Sequence, residues 1–150
     1  MKNNVNLRQL VNLTLGSNNK DIIEIPLEIP CHAYAIGIIY DYNIGDFLDS
    51  TVDSYTSDTD FLNILSKELE LMHLRLIDVD YSMISEKILT KRIIQITRME
   101  TPCRDYHFYL FHSNGLISQK YRYEKPQYSS KIELCHGEYS LGMYSIEWAL

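Results

Sequence analysis

The chain has no run of about 18 apolar residues, so nothing in it reads as a membrane-spanning helix. Residues 1–19, MKNNVNLRQLVNLTLGSNN, lack the apolar core of about 7–15 residues that marks a conventional secretory signal. Cysteine is scarce too. Cys31, Cys103 and Cys135 form no CxxC pair and are odd in number, which excludes the disulfide framework of a small secreted domain. Basic residues are outnumbered, 14 against 20 acidic ones, and the net charge of −6 argues against a general nucleic-acid binder. The Lys and Arg residues that gather in KILTKRIIQITR (87–98) read as a solvated face. These absences predict a protein of the reducing cytoplasm, or one exported without a conventional signal, with neither membrane nor nucleic acid among its partners.

What is present fits one domain over residues 1–150, with 1–30 as a possible N-terminal arm. Hydrophobic content of 45% with 23% charge excludes general disorder, and the 12 tyrosines suggest strands or an exposed surface of amphipathic rings. Residues 1–20 carry a short apolar pattern that ends at Gly16-Ser17-Asn18-Asn19 and read as a short helix or an arm. DIIEIPLEIP (21–30) alternates but contains two prolines, which suits an extended segment or an edge strand. CHAYAIGIIYDY (31–42) fits a buried helix or a buried strand. Pro30 can precede a helix, and a helix beginning near Cys31 is the preferred reading. Residues 43–60 are rich in Asp, Ser and Thr and read as a loop. Phe61, Leu62, Leu65, Leu69, Met72 and Leu76 then recur at helical spacing over 61–76, with Thr59 or Asp60 as the cap.

From residue 91 the period shortens. KRIIQITRM (91–99), DYHFYLF (105–111), GLISQKYRY (115–123), KIELC (131–135) and YSIEW (144–148) read as strands, after a loop over 78–88. HSNG (112–115) is the expected hairpin turn, and Trp148 is expected to close the core. Helices followed by antiparallel strands predict an α+β fold, with the N-terminal helices packed on a C-terminal antiparallel sheet.

Within 105–111, alternation puts His107, Tyr109 and Phe111 on one face and Tyr106, Phe108 and Leu110 on the other. The next strand returns Gln119 toward His107, where its amide oxygen can fix the imidazole tautomer. Cys31, at a helix start, is the candidate nucleophile, because a helix N-terminus favours thiolate. Cys31, His107 and Gln119 would then be nucleophile, base and orienter. The backbone N–H of Cys31 is a natural oxyanion donor, and Tyr34, Tyr106 and Tyr109 are candidates to line a cleft.

Two segments sharpen this reading. PCHAYAIG resembles the NCYAYALG-like nucleophile segment of bacterial papain-like cysteine hydrolases related to NlpC/P60. RDYHFYLFHSNGLISQK resembles their DYHFYRQDSDGLWSHKPG-like segment. The resemblance covers about a quarter of the chain. It implies a papain-like, NlpC/P60-like fold and thiol-dependent cleavage of an amide or ester in a peptide or protein. In that alignment Cys31 is the nucleophile, His107 the base, and Gln119 stands where the family usually has histidine. Ile117 replaces the family's Trp, Tyr121 its Pro, and Pro30 the Asn before the nucleophile. These departures suit a divergent hydrolase or, alternatively, a catalytically degenerate module of the same fold that binds protein. The implied chemistry uses side chains alone, without cofactor or metal.

The remaining candidates are assigned less. His32 neighbours Cys31 on the helix, so it cannot face it, and reads as a surface residue or one standing behind the site. Cys135-His136 repeats the Cys31-His32 pair, but adjacent ligands depart from zinc spacing. Asp78 and Asp80 fall short of a calcium loop. His73 reads as a helix residue, His112 as a solvated turn residue, Asp105 as a surface partner of Arg98 or Arg104, and Cys103 as a turn residue without a role.

Overall fold

The computed structural model describes residues 26–80, 91–100 and 105–149. The helix or arm expected at 1–20, the first half of the segment 21–30, most of the loop 78–88, Arg104 and Cys103 lie outside the described residues. The described elements run α1 (Cys31–Ile36), a 3-10 turn (Asp46–Leu48), α2 (Asp58–Leu71), β1 (Leu74–Asp78), β2 (Arg92–Met99), β3 (Tyr106–Phe111), β4 (Ile117–Gln119), β5 (Gln127–Ser129) and β6 (Glu138–Trp148). The strands form one six-stranded antiparallel sheet in the order β1-β6-β2-β3-β4-β5. The architecture is α+β, as the shift of period predicts.

α1 begins after Pro30, which has extended backbone and no N–H to satisfy, and ends at Gly37. Gly37 takes φ +99° and returns its N–H to the Ala33 carbonyl. That left-handed cap stops the helix after six residues, so it does not run through the apolar stretch 38–42. α2 is capped by Ser57, whose side chain accepts from the Asp60 N–H, rather than by Thr59 or Asp60. Its buried stripe is Phe61, Leu65, Glu68 and Leu69. The helix stops before Leu74 and Leu76, which belong to β1. His73 breaks it with a positive φ of 61°.

One face of the sheet packs under the helices. Leu74, Ile94, Ile96, Phe108, Leu110 and Ile146 meet Ala33, Ile36, Phe47, Phe61, Leu65 and Leu69 there. Period two puts Arg92 and Arg98 on that same face, so the supposed solvated basic run holds two buried cations. Arg92 donates to the Ala35 and Tyr34 carbonyls at 2.7 and 3.0 Å. Arg98 pairs with Asp58 at 2.6 Å and lies 4.3 Å from the Tyr106 ring centroid; it is therefore Asp58 that pairs with it, in place of Asp105. The other face carries Ile93, Tyr109, Phe111 and Ile117, with Ile132 against them.

Three expected strands change their limits. Residues 131–135 pair with nothing in the sheet. Ser129 Oγ bonds the Lys131 carbonyl, and the Glu138 N–H bonds the Cys135 carbonyl, so turns occupy both ends of that segment. The strand expected at 144–148 is longer, 138–148, while that expected at 115–123 shrinks to Ile117–Gln119. Trp148, at the end of β6, is 36% exposed and does not close the core. The turn 112–116 forms with its positive φ at Gly115.

Candidate active site

Two irregularities of the sheet build the site. First, β4 pairs with β3 only at Leu110↔Ser118 and Phe111↔Ile117. Beyond that point residues 106–109 keep β2 on one side and, among the described residues, have no strand on the other. The head of α1 meets β3 along this edge, and Cys31 Sγ lies 4.0 Å from the Tyr106 carbonyl oxygen. Second, the β2–β6 register shifts between Ile96↔Gly142 and Thr97↔Ser140, leaving Leu141 as the extra residue of a bulge. The shift reverses the alternation of β6, and so brings Glu138 onto the face of Thr97 and His107.

His107 Nε2 lies 2.7 Å from Gln119 Oε1. An amide oxygen only accepts, so Nε2 carries the proton and Nδ1 keeps its lone pair outside this bond. The position directly across from His107 in the extended register is Tyr121. Its ring stacks on the imidazole at 4.7 Å and 15°, while Tyr109 meets it edge-on at 4.9 Å. Burial lowers the His107 pKa below its ordinary 6.5, against the Gln119 hydrogen bond and the Glu138 charge. Glu138 accepts from Thr97 Oγ1, Tyr109 Oη and the Cys135 N–H. Burial acts to raise its carboxyl, but these bonds and His107 outweigh it and hold the pKa below the usual value. An ionised Glu138 therefore favours a proton arriving on the imidazole.

Cys31 and His107 line one open cleft of about 780 Å³, with Tyr106, Tyr121, Arg122 and Glu138. Of the three tyrosines expected there, Tyr106 lines it. Tyr34 and Tyr109 turn to hydrogen bonds, the first buried with Ser118 at 2.6 Å and the second half-buried with Glu138 at 2.8 Å. The Cys31 sulfur bonds toward the Tyr106 carbonyl rather than toward His107. Burial pushes the thiol up to about 11, against the backbone N–H groups of His32, Phe108 and Cys31 and the charge of Arg122. The lowered thiol pKa expected at a helix start is thus reversed. α1 has six residues and no side-chain cap, and desolvation wins over so short a dipole.

His32 differs from its surface reading. It is buried against Tyr42 and Phe108, and burial lowers its pKa to about 3. His112 is buried as well, with Nε2 2.6 Å from Ser118 Oγ. Sequence reading missed Glu138, because its place depends on a bulge. It also missed the Tyr121 stack, although position 121 was visible as a departure from the family pattern. Among the described residues no three His, Cys, Asp or Glu side chains gather to hold a metal ion, and no helix is long and apolar enough to cross a membrane. Comparison of the chain with protein families, with curated proteins and with solved structures finds no match.

Proposed function

We propose that the protein is a papain-like cysteine hydrolase that cleaves an amide or ester of a peptide or protein, with Cys31 as nucleophile, His107 as base and Gln119 as its orienter. The observation that carries the reading is the 2.7 Å bond from Gln119 to His107, the histidine that lines the same cleft as Cys31. The resting groups are a protonated thiol and a neutral imidazole, so the proton moves as the sulfur attacks. Sγ forms a bond to the substrate carbonyl carbon, and its proton passes to His107 Nδ1. The imidazolium, facing ionised Glu138, returns the proton to the leaving amine or alcohol as the acyl bond breaks. Water then attacks the thioester, His107 takes its proton, and the acid leaves as the thiol re-forms.

A second reading has support of its own. The Cys31 sulfur faces a carbonyl, and Tyr121 covers the imidazole, which suits a degenerate module that holds a peptide without cutting it. Mass spectrometry of the chain treated with p-nitrophenyl acetate separates the two. A hydrolase carries a transient acetyl group on Cys31, none in Cys31→Ala, and forms it about 100-fold more slowly in His107→Ala. Acetylation confined to Cys135, or an unchanged rate in His107→Ala, refutes the catalytic assignment.

A further inference from the structure

Among the described residues, the segment that delivers Cys31 is tied down at few points, one of them the Tyr123 N–H on the Leu27 carbonyl at 2.6 Å. Residues 26–30, PLEIP, begin and end with proline, so two of the five backbone units cannot donate a hydrogen bond. They form a turn closed by Ile29 N–H to the Pro26 carbonyl at 3.2 Å. The helix that follows is too short to be stable by itself. Their support comes from beyond β4. Lys120 is 0% exposed, and its Nζ lies 2.6 Å from the Leu27 carbonyl, 2.6 Å from the Ile29 carbonyl and 3.2 Å from the Tyr121 carbonyl. Three donors meet three acceptors, which is the full capacity of an ammonium group. Burying a cation costs several kcal/mol, and an apolar side chain fills the same space without that cost. The charge is therefore explained by what it holds.

Resting on the thiol-hydrolase reading, we infer that Lys120 is a positioning residue for the nucleophile. Its ammonium grips the Leu27 and Ile29 carbonyls and so sets where the Cys31 sulfur stands against the edge of β3. The same short stretch serves both halves of the site. Ser118 and Lys120 point to the α1 side, where Ser118 Oγ bonds Tyr34 of that helix, and Gln119 points to His107. Neighbouring residues thus fix the thiol and the imidazole to one short stretch of chain.

The pH dependence of Cys31 alkylation by iodoacetamide, read peptide by peptide in the full chain, tests this, with exposed Cys135 as the internal reference. In Lys120→Met the freed segment lets the half-buried sulfur leave the Tyr106 carbonyl and take on more water. The midpoint falls from about 11 toward the ordinary 9.0, and Cys31 labelling near pH 8 rises about tenfold per unit. Lys120→Arg, which can still donate to both carbonyls, retains the high midpoint. So does Ser118→Ala, which cuts the Tyr34 link but leaves the carbonyl grip intact. A wild-type midpoint in Lys120→Met reduces the lysine to filler and overturns the inference; a rising midpoint shows that it acts by charge alone and overturns it equally. If Lys120→Met does not fold by circular dichroism, Lys120→Gln is read by the same two criteria. Failure of the hydrolase reading appears elsewhere, as the absence of a Cys31 acetyl adduct in the unaltered chain.

Discussion

A neutral imidazole buried at His32, with Nε2 lacking a hydrogen-bond partner, couples folding to acid. The unfolded chain binds a proton there near pH 6.5, whereas the folded chain resists until about pH 3. Stability from this group is complete above pH 6.5 and is lost as pH falls toward 3. Glu68 acts with the opposite sign. Burial pushes its carboxyl up to about 7, so its contribution is complete below 4.5 and is lost as pH rises through 7. Urea melts of His32→Phe should show an acid limb shallower by about 1.4 kcal/mol per pH unit below pH 6, with stability at pH 7 unchanged or higher. Single-residue readings from sequence were uneven for a physical reason. The facing of His107 and Gln119 follows from a two-residue period and a turn of readable length. The burial of His32 and His112 depends on what packs over them, which no local pattern encodes.

At the scale of elements, α1 is held from both ends by two buried cations, one on β2 and one just past β4. Arg92 takes the Tyr34 and Ala35 carbonyls at its C-terminal end, and Lys120 takes the carbonyls before its first turn. Replacing Arg92 with Met leaves two carbonyls unpaired in the interior. The expected loss is about 3 kcal/mol in denaturant melts, with faster hydrogen exchange at the Gly37 and Ile38 amides, which both bond Ala33. A second loop is held in the same way. Glu68 of α2 accepts from the Gly45 and Phe47 N–H groups, and Gly45, at φ +101°, has no room for a Cβ against the Ser50 carbonyl. This loop carries Asn43, Asp46 and Ser50 into the cleft wall. The helix over 58–71 was legible because its apolar residues return every three to four positions. The end of α1 was less so, because residues 38–42 continue the apolar run past Gly37. Arg92 and Arg98 were misplaced because charge was weighed above the strand period that carries them inward.

Across the whole molecule, Arg98 joins α2 to the middle of the sheet. It pairs with Asp58 in the first turn of α2, and Tyr139 of β6 donates to the same carboxylate at 3.0 Å. Asp58 is 37% exposed and water screens part of the pair, so Asp58→Ala should cost about 2 kcal/mol, below the usual penalty for stranding a buried charge. Helix and strand probes should still melt together, since Phe61 of α2 stacks on Tyr106 of β3 at 3.5 Å. The α+β class was readable from the order of periods, but the order of the strands was not. β6 lies between β1 and β2, and nothing local in residues 138–148 names those neighbours. The hairpin that joins β3 to β4 is short. Its alignment rests on two residue pairs beside a five-residue loop. Adding one amino acid to that loop would turn the strand inside out: the amide would face the helix, the ammonium would face the imidazole, and thiol and ring would lose their supports in a single step.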